Sequence, residues 1–435
     1  MEIAILGAGM AGFGAAHRCH VQKLRATLYE KKPYHGGHTT SHRFSEGFTF
    51  DEGPHISFTK QERIKMLFAE SVGGEYFESK AYVNNYWQGH WIPHPAQCNL
   101  YGLPEDLVVA VLQDFINGQN GPAPEIGTYL DWLYASFGKT FAETFPMQYT
   151  RKFHTTEAAN LSVDWVGPRI YRPSLEEVLR GAVSASAPNV HYITEFRYPK
   201  HRGFVSFLDL FVEQADLRLG HQVVSVDGEK RTLTFANGSM ARFDRLVSSL
   251  PLPELIPMIQ GVPGDVLEAA RRLACSEAVI VTIGVDRADL CQAHWTYFYD
   301  PEFSIVRLST PHMQSPHNAP PGCGSFQAEI YFSKKYKPLK RQPAEYVDLV
   351  IDDLRRCGLL KEADQVVFRH ALHVPYANVI FDLDRAAALK LVHGYLDDLG
   401  IAYCGRYGEW AYIWTDESFV SGENAAQRAL DRSAP

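Results

Sequence analysis

The chain opens on an apolar run, EIAIL (residues 2–6), which predicts a buried parallel strand. The glycine-rich turn Gly7-Ala8-Gly9-Met10-Ala11-Gly12 follows, and the small-residue segment AGFGAAHRC (11–19) predicts a helix. A second apolar run, ATLYE (26–30), predicts another strand. Strand, turn, helix and strand in this order predict an α/β fold that begins with a Rossmann-type unit.

Two long internal segments carry other patterns. Residues 61–197 have a strand-like start and then apolar residues spaced i, i+3 and i+4, as in EDLVVAVLQDFING, GTYLDWLYASFG and LEEVLRGAVSA. Residues 262–372 contain the runs EAVIVTIGV, HWTYFYD, FSIVRLS and FQAEIYFS, which are typical of antiparallel strands. We therefore expect a discontinuous nucleotide-binding domain of residues 1–60, 198–261 and 373–435. A mainly helical region and an antiparallel β-sheet region interrupt it, and both would contact substrate.

The glycine spacing at the first turn is what a dinucleotide site requires. Gly7 permits a tight turn, Gly9 lets the backbone approach a pyrophosphate, and Gly12 lets the helix pack closely on the strand. The helix N-terminus stabilises phosphate charge. Glu30, at the end of the second strand, is placed to accept hydrogen bonds from a ribose.

The segment after Glu30 indicates which dinucleotide is bound. A second glycine pair, Gly36 and Gly37, lies where a loop would touch the same pyrophosphate, and the chain continues as a polar stretch rather than another helix. This pattern favours FAD over a nicotinamide cofactor. Near the C-terminus, the strand-like IAYC leads into Gly405 and Arg406, and GENAAQRAL predicts a helix whose N-terminus faces the flavin.

Composition and charge exclude other classes of function. The chain is 46% hydrophobic and 21% charged, as in ordinary globular proteins, and its net charge of -8 argues against nucleic acid as a partner. Seven cysteines without close pairs indicate reduced thiols, and no apolar run reaches the roughly 18 residues of a membrane span. The motif HRCH (17–20) lacks a second ligand pair, so no metal is expected. We expect a soluble, cytoplasmic protein that acts on a small molecule.

Several further segments carry a family resemblance: GPHISFT, YVNNYWQGHWIPHPAQCNLYGLPED, NLSVDWVGPRIYRPSLEEVL and GRYGEWAYIW. With the chain's two ends, they resemble the FAD proteins that include UDP-galactopyranose mutase, protoporphyrinogen oxidase and the flavin amine oxidases. The likeness is greatest to the mutase branch, where the segment like GPHISFT places a histidine against the flavin. The chain departs from that branch at Ser57, Phe58 and Trp414, where the mutases have an aromatic residue, a second histidine and an aspartate.

The resemblance implies an enzyme that interconverts the pyranose and furanose forms of a nucleotide sugar through reduced flavin, without net redox change. The implied catalytic residues are His55, Arg172, Arg307, Tyr376 and Tyr412. The expected cofactor contacts are Gly7, Gly9, Met10, Ala11, Gly12, Glu30, Lys31, Gly36, Gly37, His38, Thr39, Pro54, His55, Val224, Gly405, Arg406 and Trp410.

Some assignments stay open at this point. A planar guanidinium binds phosphate through two donors, and Arg169 is an alternative to Arg172 for that role. Arg307 lies between apolar strand residues, so its side chain either reaches a pocket or faces solvent. The segment EWAYIW predicts a strand on which Trp410, Tyr412 and Trp414 share one face.

A second class of function also stays open. An FAD oxidoreductase that dehydrogenates a small organic substrate would have a mostly apolar pocket, and Arg172 and Arg307 would then be structural. Amine oxidases carry a lysine in the strand corresponding to SEAVIVTIGVD, which has none here, so other dehydrogenations are favoured over amine oxidation. A noncatalytic FAD-fold binding protein would leave the flavin inert. The oligomeric state is left open.

Overall fold

The computed structural model describes residues 1–120, 125–185 and 193–432. Small parts of the predicted segments 61–197 and 373–435 therefore lie outside the described residues. The predicted α/β class is confirmed, since a parallel Rossmann-type sheet carries helical and antiparallel insertions.

The strands of the described residues are β1 (Ile3–Leu6), β2 (Ala26–Tyr29), β3 (Ser41–Arg43), β4 (Thr49–Asp51), β5 (Tyr76–Lys80), β6 (Val83–Trp87), β7 (His90–Pro93), β8 (Glu195–Pro199), β9 (Asp216–Arg218), β10 (Val223–Asp227), β11 (Thr232–Phe235), β12 (Met240–Arg242), β13 (Arg245–Ser248), β14 (Ser276–Val285), β15 (Trp295–Phe298), β16 (Arg307–Ser309), β17 (Gly324–Ser333), β18 (Val366–Val374) and β19 (Ile401–Tyr403). The helices are α1 (Met10–Val21), α2 (Glu62–Ser71), α3 (Glu105–Asn120), α4 (Tyr129–Phe137), α5 (Lys139–Thr144), α6 (Pro146–Phe153), α7 (Leu175–Val183), α8 (Asp209–Gln214), α9 (Leu252–Met258), α10 (Gly264–Arg272), α11 (Pro311–Gln314), α12 (Tyr346–Arg356), α13 (Arg385–Asp398), α14 (Gly405–Gly408) and α15 (Thr415–Asp431).

The first sheet is parallel, with strand order β19-β13-β1-β2-β9. Its strands come from segments that are far apart in the chain. The glycine-rich turn after β1 lies at its carboxyl edge, where ligands of such sheets bind. A separate antiparallel ribbon, β10-β11-β12, lies between β9 and β13 in the chain.

The second sheet has the order β18-β14-β17-β16-β15-β6-β7 and is antiparallel except at the β15–β6 pair. Residues of β14 alternate between its two faces. Val279, Val281 and Ile283 join an apolar core with α12, whereas Ala278 and Ile280 face the opposite way, into the cavity described below. Strand β6 comes from the segment expected to be mainly helical, so that segment also contributes to this sheet.

Two helices of the helical region begin at capping boxes, and three of its helices pack into one apolar core. Helix α4 begins at a capping box in which Thr128 and Asp131 exchange side-chain and backbone hydrogen bonds, and Ser174 and Glu177 do the same for α7. Apolar side chains of α3, α4 and α5 pack into one core. In the part of the chain that the structure describes, no helix has the length and apolar character needed to cross a membrane.

Helices α1 and α15 pack closely because glycines stand at their contact. A Cβ at Gly422 would lie 1.8 Å from the carbonyl oxygen of Ala11, and one at Gly14 would lie 1.9 Å from that of Phe419. This contact holds the phosphate-facing helix against the C-terminal helix. The C-terminal helix therefore helps to fix the nucleotide site.

The predicted strand over EWAYIW is wrong. The segment leaves α14 through a turn in which Trp410 has φ +51°, and an irregular stretch then leads into α15 at Thr415. Trp410 is consequently fully buried, while Tyr412 and Trp414 face the cavity. Helix α15 also begins earlier than the segment GENAAQRAL, from which it was predicted.

The glycine contact between α1 and α15 gives a stability prediction. Gly422→Ala forces backbone to move and should lower the free energy of unfolding by about 1–3 kcal/mol, as overpacking does. Gly394→Ala is the matched control, because Gly394 lies inside α13 and a Cβ added there would have no atom within 4 Å. That control should raise stability by up to about 1 kcal/mol through helix propensity. Denaturant unfolding measures both, and equal effects would contradict the packing account.

Candidate functional site

A cavity of about 400 Å³ lies between the carboxyl edge of the parallel sheet and one face of the antiparallel sheet. The glycine-rich turn lines one end, and Arg307, Tyr297 and Glu329 line the other. The cavity thus brings a dinucleotide turn and a group of charged and phenolic side chains together.

The turn after β1 forms a tight backbone cradle. Gly7 has φ +92°, and a Cβ at Gly12 would lie 1.8 Å from the carbonyl oxygen of Gly7. The second glycine pair lies against the same turn, because Gly36 N–H donates to the carbonyl of Ala8 at 2.8 Å. A Cβ at Gly7 would lie 2.5 Å from Ser249 Oγ, and one at Gly37 would lie 3.1 Å from the Gly9 Cα, so the close approach of the two loops requires glycine. The exposed backbone of such a turn is what a pyrophosphate binds, so the residues present fit FAD.

Glu30 is held in place by two backbone hydrogen bonds. Its carboxylate accepts hydrogen bonds from the backbone N–H of Ala8 and of Lys32, each at 2.9 Å. The Glu30 side chain also lines the cavity. Lys32 is directed away from Glu30, since its ammonium pairs with Glu52 at 3.0 Å.

Two neutral histidines lie further along the cavity. Burial lowers the pKa of His38 to about 3 and that of His55 to about 4. His55 Nδ1 lies 2.9 Å from the carbonyl oxygen of Gly53, which fixes the ring. Both imidazoles are therefore uncharged at neutral pH and add no charge to the cavity that they line.

Arg406 ties together two cavity loops. Its guanidinium donates to the carbonyl of Ile413 at 2.8 and 3.1 Å and to that of Ala377 at 3.2 Å. The loops that it joins carry Tyr376 and Tyr412. Arg406 therefore holds the backbone next to both tyrosines, and it lines the cavity itself.

One row of side chains crosses the antiparallel sheet and faces the cavity. Ile280, Glu329, Arg307 and Tyr297 are successive cross-strand neighbours on β14, β17, β16 and β15, and all line the cavity. Cross-strand neighbours on one face lie close enough to interact directly. The strand register thus sets the charged part of the site.

Arg307 and Glu329 form a two-pronged ion pair in this row. Arg307 Nε and Nη2 both donate to the Glu329 carboxylate, Nη2 at 3.0 Å, and the Tyr331 hydroxyl donates to the same carboxylate at 2.7 Å. Burial opposes the charge on Arg307, but the attraction of Glu329 outweighs it and holds the pKa of the guanidinium well above its usual value. Arg307 Nη1 makes no hydrogen bond to any described residue.

A buried lysine supports the turn that precedes Arg307. The Lys152 ammonium on α6 donates to three backbone carbonyls of the turn 298–305, at 2.7 to 3.0 Å. Burial lowers its pKa to about 7. Tyr149, one turn earlier on α6, packs its ring 5.4 Å from that of Tyr297. Lys152 therefore docks α6 beside the charged row.

The two candidate arginines of the helical region lie in different places. Arg172 is exposed, donates to the carbonyl of Ala135 at 3.1 Å, and does not line the cavity. Arg169 instead lies between two rings that line it, 4.8 Å from the centre of Tyr412 and 4.5 Å from that of Trp414. Of the pair, Arg169 is the one next to the cavity.

The structure brings most of the expected site residues together. His55, Arg307, Tyr376 and Tyr412 line the cavity with these expected cofactor contacts: Gly7, Gly9, Met10, Ala11, Glu30, Lys31, Gly36, Gly37, His38, Thr39, Pro54, Gly405 and Arg406. The expected residues outside the lining are Gly12, Arg172, Val224 and Trp410. Val224 is exposed on β10, where its neighbour Val223 faces the cavity instead.

Sequence reasoning missed other cavity residues, including Tyr297, Glu329, Tyr331 and Gln314. Glu329 had a readable signal, because it is the one charge in the apolar run FQAEIYFS and a buried carboxylate needs a partner. Gln314 lies on a short helix without periodicity. No group of three or more potential metal ligands occurs among the described residues.

Comparison with known proteins finds a family model that matches the N-terminal part of the chain. A family model described as an NAD(P)-binding Rossmann-like domain matches residues 5–71. Over 78 residues the chain is 38% identical to 4,4'-diapophytoene desaturase (4,4'-diaponeurosporene-forming) from Staphylococcus haemolyticus (strain JCSC1435). That match covers 18% of this chain and only 15% of the desaturase.

Solved structures share the whole fold. A reduced UDP-galactopyranose mutase matches with a TM-score of 0.93 and 24% identity, covering 100% of this chain and 96% of the other. A putrescine oxidase variant matches with a TM-score of 0.65 and 14% identity over 99% of both chains. A CLA-producing fatty acid isomerase from P. acnes matches with a TM-score of 0.66 and 14% identity over 98% of both. The predicted resemblance is thus confirmed as a shared fold, and the FAD-binding architecture is confirmed with it.

The two neutral histidines predict an acid-side loss of stability. Their pKa values in the fold lie below the value of about 6.5 expected in the unfolded chain. Below pH 6.5 the unfolded chain binds protons that the folded chain does not, so stability falls as the pH drops toward 4. Asp51 acts in the opposite direction, because burial raises its pKa to about 6.

Two histidine variants separate the contribution of His38 to the pH dependence of stability from that of other groups. The melting temperature of His38→Gln should fall less steeply from pH 6.5 to 4 than that of the parent protein. His20→Gln, at an exposed position of α1, should leave the slope unchanged. Thermal unfolding followed by circular dichroism measures the slopes, and a slope in His38→Gln as steep as in the parent would contradict a neutral buried His38.

Proposed function

We propose that this protein is an FAD-dependent enzyme that interconverts the pyranose and furanose forms of a nucleotide sugar. The observation that carries the proposal is the cavity wall opposite the dinucleotide turn. It holds the Arg307–Glu329 pair and four phenols, those of Tyr297, Tyr331, Tyr376 and Tyr412. Such a wall suits a diphosphate and sugar hydroxyls better than it suits an apolar molecule.

Arg307 is the first proposed diphosphate ligand. Glu329 orients its guanidinium, and Nη1 remains for a phosphate oxygen. Its high pKa keeps it charged throughout the physiological range. Because Glu329 offsets its charge, Arg307 alone attracts a diphosphate weakly, and the proposal needs a second cation.

Arg169 is the proposed second cation, in place of Arg172. It stacks on Tyr412 and Trp414 and donates to the carbonyl of Tyr412. Its Nε is buried and has no hydrogen-bond partner among the described residues. Arg169 lies directly behind the side chains that line the cavity, so its charge raises the electrostatic potential inside the cavity. The charge of the exposed Arg172 is screened by water and has little effect there.

The protein's part in the reaction is positioning and charge neutralisation. When bound, reduced flavin supplies the electron-rich centre that displaces a nucleotide diphosphate from the sugar. Arg307 and Arg169 stabilise the negative charge on the departing diphosphate. Burial raises the pKa of Tyr331, Tyr376 and Tyr297, so these hydroxyls stay protonated and donate hydrogen bonds. His55 and His38 stay neutral beside the flavin.

A second candidate is an FAD oxidoreductase that dehydrogenates a small organic substrate. The similarity of 78 residues to a desaturase and the apolar residues of the cavity lining favour it. In that case nucleotide diphosphates would have no specific site, and substrate would reduce the oxidised flavin.

Nucleotide titration of the dithionite-reduced protein tests the proposal. We expect one of UDP, dTDP, GDP and CDP to change the flavin absorbance saturably. Arg169→Met should weaken that binding roughly 10- to 100-fold, because it removes a positive charge next to the cavity. Arg172→Met, three residues away and exposed, is the matched control and should bind within about twofold of the parent, as surface charges contribute little. If no nucleotide binds at millimolar concentration, or if both variants lose affinity equally, the proposal fails.

A further inference from the structure

One face of helix α6 carries three side chains toward the charged part of the cavity. Tyr149, Lys152 and Phe153 are spaced i, i+3 and i+4, which places them on one side of a helix. The Tyr149 ring lies 5.4 Å from that of Tyr297, and the Phe153 ring lies 4.9 Å from that of Tyr331. Both of these partner tyrosines line the cavity. Helix α6 therefore lies directly behind the wall opposite the glycine turn.

Lys152 reaches from this face of α6 to the turn 298–305. It is only 8% exposed, and its ammonium donates to the carbonyls of Phe298, Asp300 and Ile305 at 3.0, 2.8 and 2.7 Å. An ammonium has three N–H donors, so these three carbonyls use all of them. Among the described residues no carboxylate forms an ion pair with Lys152, so backbone oxygens alone hold its charge.

The same turn is also bonded through its N–H groups. Asp353 on α12 accepts from the N–H of Ser304 at 2.6 Å and from that of Ile305 at 3.3 Å. Because Lys152 bonds the carbonyl of Ile305, this residue is fixed at both of its backbone groups. Arg307 follows two residues later and begins β16, a strand of only three residues. The fixed turn therefore contributes directly to the position of Arg307.

We propose that Lys152 is a positioning residue for nucleotide binding, which holds the turn 298–305 in the shape that directs Arg307 into the cavity. The inference rests on the proposed function, in which Arg307 binds the diphosphate. The role requires a charged ammonium, because an uncharged amine has two N–H donors and a lone pair. That lone pair would face one of the three carbonyl oxygens, so loss of the proton releases this carbonyl and lets the turn move.

The surroundings of Lys152 allow its proton to leave near neutral pH. Burial has the largest effect and lowers the pKa of the ammonium to about 7. Attraction by Asp300, Asp353 and Glu302 raises this pKa, whereas repulsion by the Lys337 ammonium lowers it. Lys152 is therefore charged at slightly acidic pH and loses its charge as the pH rises above about 7. We expect nucleotide binding to weaken in the same range.

The stability of the fold should change in the opposite direction. In the unfolded chain a lysine keeps its proton up to a pKa of about 10.4. Between pH 7 and that value the unfolded chain binds more protons than the folded chain, so this group raises the free energy of unfolding as the pH rises. If Lys152 only supported the fold, nucleotide binding would not weaken in a range where the fold gains stability.

Binding at two pH values tests the inference. The probe is the galactose conjugate of the nucleoside diphosphate that binds in the titration above, because its phosphates carry no proton that titrates near neutral pH. The affinity of the reduced parent protein should fall roughly 10-fold from pH 6 to pH 9, since a displaced binding group is costly. Lys152→Met should bind roughly 10-fold more weakly than the parent at pH 6, without a further fall. Lys139→Met, at an exposed position of α5, is the matched control and should behave as the parent.

A second variant and a second measurement complete the test. Lys152→Arg keeps its charge at both pH values, so its affinity should not fall, and it replaces Lys152→Met if that variant does not fold. Denaturant unfolding of the parent and of Lys152→Met or Lys152→Arg at pH 7 and pH 9 measures stability. Either variant should lack the part of the parent's rise in the free energy of unfolding that comes from Lys152.

The outcomes separate this inference from the proposed function. If the parent binds the probe equally at pH 6 and pH 9, or if the Lys152 variants keep the fall in affinity, the positioning role is overturned and the proposed function stands. Equal changes of stability with pH in the parent and the Lys152 variants would also overturn it, because Lys152 would then keep its charge. If no nucleotide binds the parent protein, both proposals fail.

Discussion

The ion pair between Arg307 and Glu329 is the interaction on which the account of this site depends. The two residues are neighbours on adjacent strands, so the sheet register brings them together without a loop. Removing one member of such a buried pair typically costs about 3–5 kcal/mol, because the other charge is left uncompensated. The pair therefore ties the chemistry of the cavity to the stability of the sheet, and Lys152 anchors the turn that leads into it.

The glycine turn and the antiparallel sheet contribute different parts of the site. The turn after β1 leaves out side chains so that a dinucleotide fits, whereas the antiparallel sheet adds charge and hydroxyls from one face. Arg406 joins the loops between them, so Tyr376 and Tyr412 are held by the same guanidinium. The shared fold is compatible with oxidase and isomerase chemistry. In this chain the antiparallel sheet contributes Arg307 and Glu329 to the cavity lining.

Much of the nucleotide end was predictable because its geometry is local. Gly7, Gly9 and Glu30 have the spacing of a dinucleotide-binding motif, which few other local structures require. Each of the three residues lines the cavity. The substrate end was less predictable because it depends on tertiary placement. Arg169 and Arg172 are three residues apart, and no sequence pattern says which one faces Tyr412. Trp410 is buried where the backbone makes a left-handed turn. The alternation of aromatic residues in EWAYIW predicted a strand instead, and it gives no sign of this turn.

Positional isotope exchange tests the central claim most directly. A nucleotide sugar labelled with ¹⁸O in the bond between the anomeric carbon and the β-phosphate is incubated with the protein and followed by ³¹P nuclear magnetic resonance. The account predicts that the label moves to non-bridging positions with reduced protein and stays in place with oxidised protein, since the glycosyl bond breaks and reforms without net redox change. A label that stays in place with reduced protein, although the nucleotide binds, would contradict the account.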